Sequence, residues 1–174
     1  HMLKLIGELA GYGVDGVCLA LIRGVPLVLY EKIMVAGFKR RHGTDPRTLA
    51  ETDPRWLAYQ AEVLTPFFQR AKARLKKGQR LSVIVPGNEA DCRHWGFDVA
   101  TWVKEGYVDD VLPTGQRFNA MDVHEDDPTR LDFDYFQGLE GRRTIRLIPL
   151  LYTWSLYGSD YPAWRNHIHS WLDR

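Results

Sequence analysis

Short apolar runs separated by helix-length amphipathic stretches are the feature that most limits what this chain can fold into. Gly16-Val17-Cys18-Leu19-Ala20-Leu21-Ile22 is apolar throughout, the pattern of a strand buried on both faces of a parallel sheet. Leu81 to Val85, Val108 to Leu112 and Arg142 to Trp154 supply three more strands, the second of these despite the Asp109-Asp110 pair. Helical patterns lie around and between them. Leu3 to Ala10 precedes the first strand, and Glu31 to Arg41 follows it, stopped by Gly43. Asp53 as cap and Pro54 at the first helical position open a long helix. Its apolar face reads Trp56, Gln60, Val63, Phe67, Ala71 and Leu75, with a kink expected at Pro66. Asn88 to His94 reads as a short helix or turn, and Asp98 caps Val99 to Glu105. A polar loop from Pro113 to about Thr129 leads to a helix at Asp132 to Leu139. Trp164, Ile168, Trp171 and Leu172 mark a terminal helix opening near Asp160. Strand followed by helix, repeated in this way, predicts right-handed crossovers and a parallel sheet. The fold class expected is α/β, in one domain over residues 1–174, since no linker or repeat divides the chain.

Composition excludes several roles. With 45% hydrophobic and 26% charged residues the chain is ordinary for a folded domain. Lys+Arg 23 against Asp+Glu 22 leaves a net charge of +1. The basic stripe of a nucleic-acid binder is therefore not expected. The locally basic stretches, Lys72 to Lys77 and Phe38 to Arg41, read as solvated helix ends. No apolar run approaches the ~18 residues of a membrane span, so no membrane partner is expected. Cys18 and Cys92 have neither disulfide nor zinc spacing and read as small buried hydrophobes. His1-Met2 looks like the scar of a cleaved tag rather than natural sequence.

Two segments carry a family resemblance. Tyr12-Gly13-Val14-Asp15-Gly16-Val17, followed by Ile22-Arg23, resembles the "YDVDGIxxDxxR" strand of family-10-like glycosyl hydrolases. More specifically, Gly96 to Asp109 (GFDVATWVKEGYVD) resembles that group's "GLDVATWVKEGLVD" segment, and Arg55-Trp56-Leu57 fits as well. The resemblance implies a (β/α)8 TIM barrel with its chemistry at the carboxyl ends of the strands. In that family the DGI strand is commonly the fourth, which makes this chain the counterpart of strands 4–7. A whole barrel takes about 250 residues, so the chain corresponds to about half of one. It departs from the pattern at Ala20, where many relatives carry an acidic residue. Half a barrel has open edge strands, and a homodimer or higher homo-oligomer is expected to close them.

Glycoside hydrolysis uses two carboxyl groups flanking the scissile bond. Glu89, directly after the Leu81 to Val85 strand, is the expected general acid. Its partner is Glu31, or Asp122 from the acidic run Asp122 to Asp127. For substrate binding, Asn88 can bond a sugar hydroxyl and Arg23 can clamp a carboxylate. Tyr152 and Trp154 can stack on a sugar ring. Each residue also has a plain structural role open to it. Asn88 or Glu89 caps a helix, Arg23 holds a loop through an acid, and the aromatics pack. The acidic run reads as a solvated loop, so no metal is expected. The chain has no Gly-rich phosphate loop, nucleophile-elbow serine or CxxC motif, and no cofactor is expected. The reading is a glycosidase-like hydrolase acting on a carbohydrate, an oligo- or polysaccharide. The alternatives are a non-catalytic, self-associating half-barrel with a sugar-binding or structural role, and a metal-assisted hydrolase of another bond.

Overall fold

The strands pair in the order in which they occur along the chain. In the computed structural model, which describes residues 1–21, 26–115, 130–141, 144–150 and 169, α1 (Met2–Gly11) leads into β1 (Gly16–Ala20). Then come α2 (Lys32–His42), α3 (Pro54–Lys72), β2 (Arg80–Pro86), α4 (Glu89–His94), α5 (Val99–Lys104), β3 (Asp110–Thr114), α6 (Phe133–Gln137) and β4 (Arg146–Leu147). The four strands form one sheet in the order β1-β2-β3-β4, and every pairing is parallel. The expected Asp160 helix lies outside the described residues, as do Arg23, Asp122, Tyr152 and Trp154.

Parity decides which way each strand residue points. The register pairs Val17 with Leu81 and Leu19 with Val83, then Val83 with Val111 and Val111 with Leu147. These odd-numbered residues all belong to the core cluster or pack against it. Each of α1–α6 sends side chains into the same cluster: Ile6, Phe38, Trp56, Phe68, Cys92, Trp102 and Phe136 among them. The helices therefore cover one face of the sheet. The even-numbered residues form the other face, where Ile84 is buried but stands apart from that cluster.

Here the structure corrects two expectations. Cys18 and Ala20 are exposed, so β1 is buried on one face only. As the first strand it borders a single neighbour, and the face its even residues occupy carries none of the described helices. Cys92 does behave as a buried hydrophobe, with its Sγ 3.4 Å from the Pro86 carbonyl. β3 begins two residues later than expected and takes in Pro113 and Thr114, shortening the polar loop assigned there. Of the expected fourth strand, the described part is Arg146–Leu147 with a bridge between Thr114 and Leu150.

The long helix starts as its sequence dictates: the Asp53 side chain accepts from the Arg55 N–H at 2.9 Å, and Pro54 occupies the first turn. It runs through Pro66 to Lys72. The buried stripe is Trp56, Gln60, Leu64, Phe68 and Ala71, a run with mostly i, i+4 steps. Val63 and Phe67 pack only partly against the core. Phe68 wins the central place because it stacks on Trp102, ring centroids 3.7 Å apart. Trp102 in turn donates its indole N–H to Thr65 Oγ1 at 3.0 Å. Gln60, polar in an apolar stripe, is satisfied by donating to the Val28 carbonyl at 2.8 Å, which pins the loop after β1 onto α3.

Candidate functional site

β2 ends at Pro86, and the chain must turn at once into α4. Gly87 makes that turn possible: a Cβ there would lie 2.8 Å from the Thr114 carbonyl oxygen and 3.0 Å from that of Arg130. Asn88 then adopts an extended conformation and caps α4, its Oδ1 accepting from the Asp91 N–H at 2.8 Å. The other end of the amide donates to Asp91 Oδ2 at 2.9 Å and reaches the Arg130 carbonyl at 3.4 Å. Arg130 closes the group by pairing with Asp91. Asn88 thus has its whole amide engaged by the protein, the capping role anticipated for it.

Glu89 is the first residue of α4, and its position is set by a single turn of helix. Arg93, four residues on, donates to its Oε1 through Nε at 3.0 Å and Nη2 at 2.6 Å. The pair is exposed, so its worth to stability is small. Its importance is placement. Glu89 and Arg93 line a cavity of about 480 Å³ together with Asp98 and Tyr135. The apolar part of the wall comes from the first half of α3 (Pro54, Leu57, Ala58, Ala61) and from Phe97, Val99 and Ala100. An apolar wall with a few convergent polar groups is the usual build of a small-molecule site.

Asp98 arrives there because Gly96, at φ +72, reverses the chain between α4 and α5, close against Gln60. The Asp98 Oδ1 caps α5 by accepting from the Thr101 N–H at 3.1 Å. Among the described residues no donor reaches Oε2 of Glu89 or Oδ2 of Asp98. Among the described residues, each carboxylate therefore has one oxygen committed to local structure and one without a donor. Tyr135 completes the group. Burial pushes its hydroxyl well above the ordinary tyrosine range, Cys92 and Glu89 add to the effect, and Arg93 opposes it. The phenol keeps its proton across the working pH range and can donate to a ligand oxygen.

Glu31 lies elsewhere. It occupies the N-cap position of α2, its side chain makes no capping bond, and it is exposed; it is not among the cavity residues. The carboxylate that shares the cavity with Glu89 is Asp98, which the sequence presents only as a helix cap. In the sequence Tyr135 reads simply as part of a helix. Neither residue has a local signal for this role, because the cavity joins parts of four helices distant in sequence.

At the other end of the strands, Asp110 sits 1% exposed and takes hydrogen bonds from Arg80 Nε (2.9 Å), Arg146 Nε (2.6 Å) and Ser82 Oγ (2.7 Å). Burial raises its pKa, but the bonds from Arg146, Arg80 and Ser82 outweigh that and hold it well below the usual carboxylate range. With both cations committed, this is a structural clasp across β2, β3 and β4. Among the described residues, no three His, Cys, Asp or Glu side chains are grouped to hold a metal. Nor is any described helix long and apolar enough to cross a membrane. No protein-family model matches the chain, and no curated protein matches it.

Proposed function

We propose that these βα units belong to a (β/α)8-type glycoside hydrolase acting on O-glycosidic bonds of an oligo- or polysaccharide. The observation that carries the reading is the sheet: parallel, in the order β1-β2-β3-β4, with α1–α6 all feeding the cluster on one face. A doubly wound sheet reverses its order and takes helices on both faces. A barrel wall keeps sequential order and turns its bare face to the lumen. The polarity of the strands agrees with this. The Asp110 clasp lies where strands begin, the stability end of such a barrel, and the Glu89 cavity lies where β2 gives way to its helix, on the side used for chemistry. The substrate class rests on the resemblance carried by Tyr12 to Val17 and Gly96 to Asp109. The second of these segments contributes Asp98 itself.

In this reading Glu89 and Asp98 are the carboxylate pair. Glycosidases divide the work between a proton donor to the leaving oxygen and an ionised partner. The open oxygens of Glu89 and Asp98 are the atoms available for those roles, and Tyr135 donates to a sugar oxygen. The test is hydrolysis of a panel of chromogenic glycosides by the chain and by Glu89→Gln. A loss of about 100-fold or more is the effect of removing a general acid or base; unchanged turnover removes Glu89 from the chemistry.

A second reading, a self-associating half-barrel without catalysis, is favoured by one observation. Cys18 and Ala20 of β1 are exposed and Ile148 is 42% exposed, all on the face that carries none of the helices α1–α6. Light scattering separates this reading from a stable monomer.

A further inference from the structure

We infer that Tyr30 is a stacking platform for a pyranose ring, backed by the same helix that walls the Glu89 cavity; the inference rests on the carbohydrate reading above. Tyr30 lies on the loop after β1, on the side of the sheet where strands end. Its ring is parallel to the Trp56 indole, 8° from coplanar with centroids 5.0 Å apart. Trp56 is 2% exposed, whereas Tyr30 is 37% exposed. One face of the phenol ring is therefore backed by a buried indole, and the accessible part belongs to a flat ring packed against it.

The backing is firm. Phe38 meets Trp56 edge-on at 5.5 Å, and Tyr59 stacks on it at 5.8 Å. The loop is anchored two residues before Tyr30, where Gln60 holds the Val28 carbonyl. One residue after it, the Glu31 carbonyl accepts the first bond of α2 from the Val35 N–H at 3.0 Å. A ligand that stacks here meets an ordered ring and orders little by binding, which is the condition for affinity from a small contact. The neighbours Leu29 and Ile33 are 48% and 72% exposed, an apolar surround for the C–H face of a sugar. The exposed carboxylate of Glu31 next to Tyr30 is an acceptor for ring hydroxyls.

The platform and the cavity share one support. The first turns of α3 contribute Trp56 to the stack under Tyr30 and Pro54 and Leu57 to the wall of the Glu89 cavity.

The test is calorimetric titration of the full chain with three soluble hexasaccharides, of β-1,4-linked glucose, β-1,4-linked N-acetylglucosamine and α-1,4-linked glucose. Binding is compared for the unaltered chain, Tyr30→Ala and Tyr30→Trp. The expected result is that at least one hexasaccharide binds, that Tyr30→Ala weakens it about tenfold, and that Tyr30→Trp restores it. Equal binding by the unaltered chain and Tyr30→Ala overturns the platform while leaving the carbohydrate reading standing. Binding of none of the three overturns the carbohydrate reading, and the platform with it. If Tyr30→Ala does not fold, Tyr30→Leu makes the same comparison, since it keeps apolar bulk without a flat ring. A change from dimer to monomer in Tyr30→Ala by light scattering also overturns the platform, because it assigns the patch to a second copy of the chain.

Discussion

Asp109 and Asp110 are consecutive residues whose carboxylates serve opposite faces of the sheet. Asp109 pairs with Lys72 of α3 and accepts the Leu81 N–H at 2.7 Å. Asp110 is clasped by Arg80, Arg146 and Ser82 on the face opposite the helices α1–α6. A pair of acids that should interrupt a buried strand instead ties that strand to its neighbours and to the long helix. Asp110 is the buried centre of these bonds, so Asp110→Ala forfeits the hydrogen bonds from Arg80, Arg146 and Ser82 together and is expected to destabilise the fold by about 2 kcal/mol. Arg146 is 60% exposed on its side chain, and Arg146→Ala is expected to cost less than about 1 kcal/mol. Urea unfolding of the two variants checks the contrast; equal losses would mean that the clasp is not centred on Asp110.

Three aspartates held low by arginines set the acid limit of stability. Asp110 is held below its ordinary range in the folded chain. Asp53 is lowered to about 2, by the Arg55 side chain above all, and Asp45 to about 2 by Arg47. A depressed folded value means that the unfolded chain takes up protons first. The stabilisation is fully present above the unfolded aspartate value of about 3.9 and is lost as the pH falls through the folded values. Urea midpoints are therefore expected to be level from about pH 5 upward and to fall between about pH 4 and 2. Asp110→Asn removes one of the titrating groups and is expected to flatten that fall. An unaltered slope in Asp110→Asn would assign the acid limit to the other aspartates.

Much of the fold is legible in the chain because its signals are local. Asp53-Pro54 reads as a helix start, and Asp53 caps α3 as the pair requires. The apolar runs at Leu81 to Val85 and Gly16 to Ala20 read as strands. What is not legible is the choice made by tertiary contact. Val63 and Leu64, or Phe67 and Phe68, are equivalent in pattern, and the stack on Trp102 decides for Phe68. β1 reads as buried on both faces because its composition is uniformly apolar, yet the helices α1–α6 pack only on the face of Val17 and Leu19. The cavity is the extreme case. Pro54, Glu89, Asp98 and Tyr135 meet across four helices, and no periodicity or spacing reports such a meeting.

Trp102 is where the core can be tested most directly. It is fully buried, stacks on Phe68 and meets Phe97 at 5.7 Å, and spends its one donor on Thr65. Trp102→Ala removes the ring and leaves a cavity, an expected loss of about 3–5 kcal/mol. Trp102→Phe keeps most of the stacking and forfeits one hydrogen bond, an expected loss of about 1 kcal/mol before any repacking cost. Thr65 keeps its own bond to the Ala61 carbonyl at 2.9 Å in either case. Chemical denaturation with an unchanged denaturant slope reads these values. Comparable losses in the two variants would show that the Thr65 bond, and not the ring, is the larger contribution.

Asp98 separates structure from chemistry within a single side chain. As the cap of α5 it needs only an oxygen that accepts from the Thr101 N–H, and asparagine supplies one as well as aspartate does. As a partner of Glu89 it needs a carboxylate. Asp98→Asn is therefore expected to keep stability within about 0.5 kcal/mol of the unaltered chain, while Asp98→Ala loses about 1 kcal/mol with the cap. If the cavity carries out glycoside hydrolysis, both variants lose about 100-fold or more in turnover, so activity follows the charge and stability follows the cap. Turnover retained in Asp98→Asn and reduced only in Asp98→Ala would mean that Asp98 positions α5 and takes no part in the reaction, and Glu89 would then need a different carboxylate as its partner.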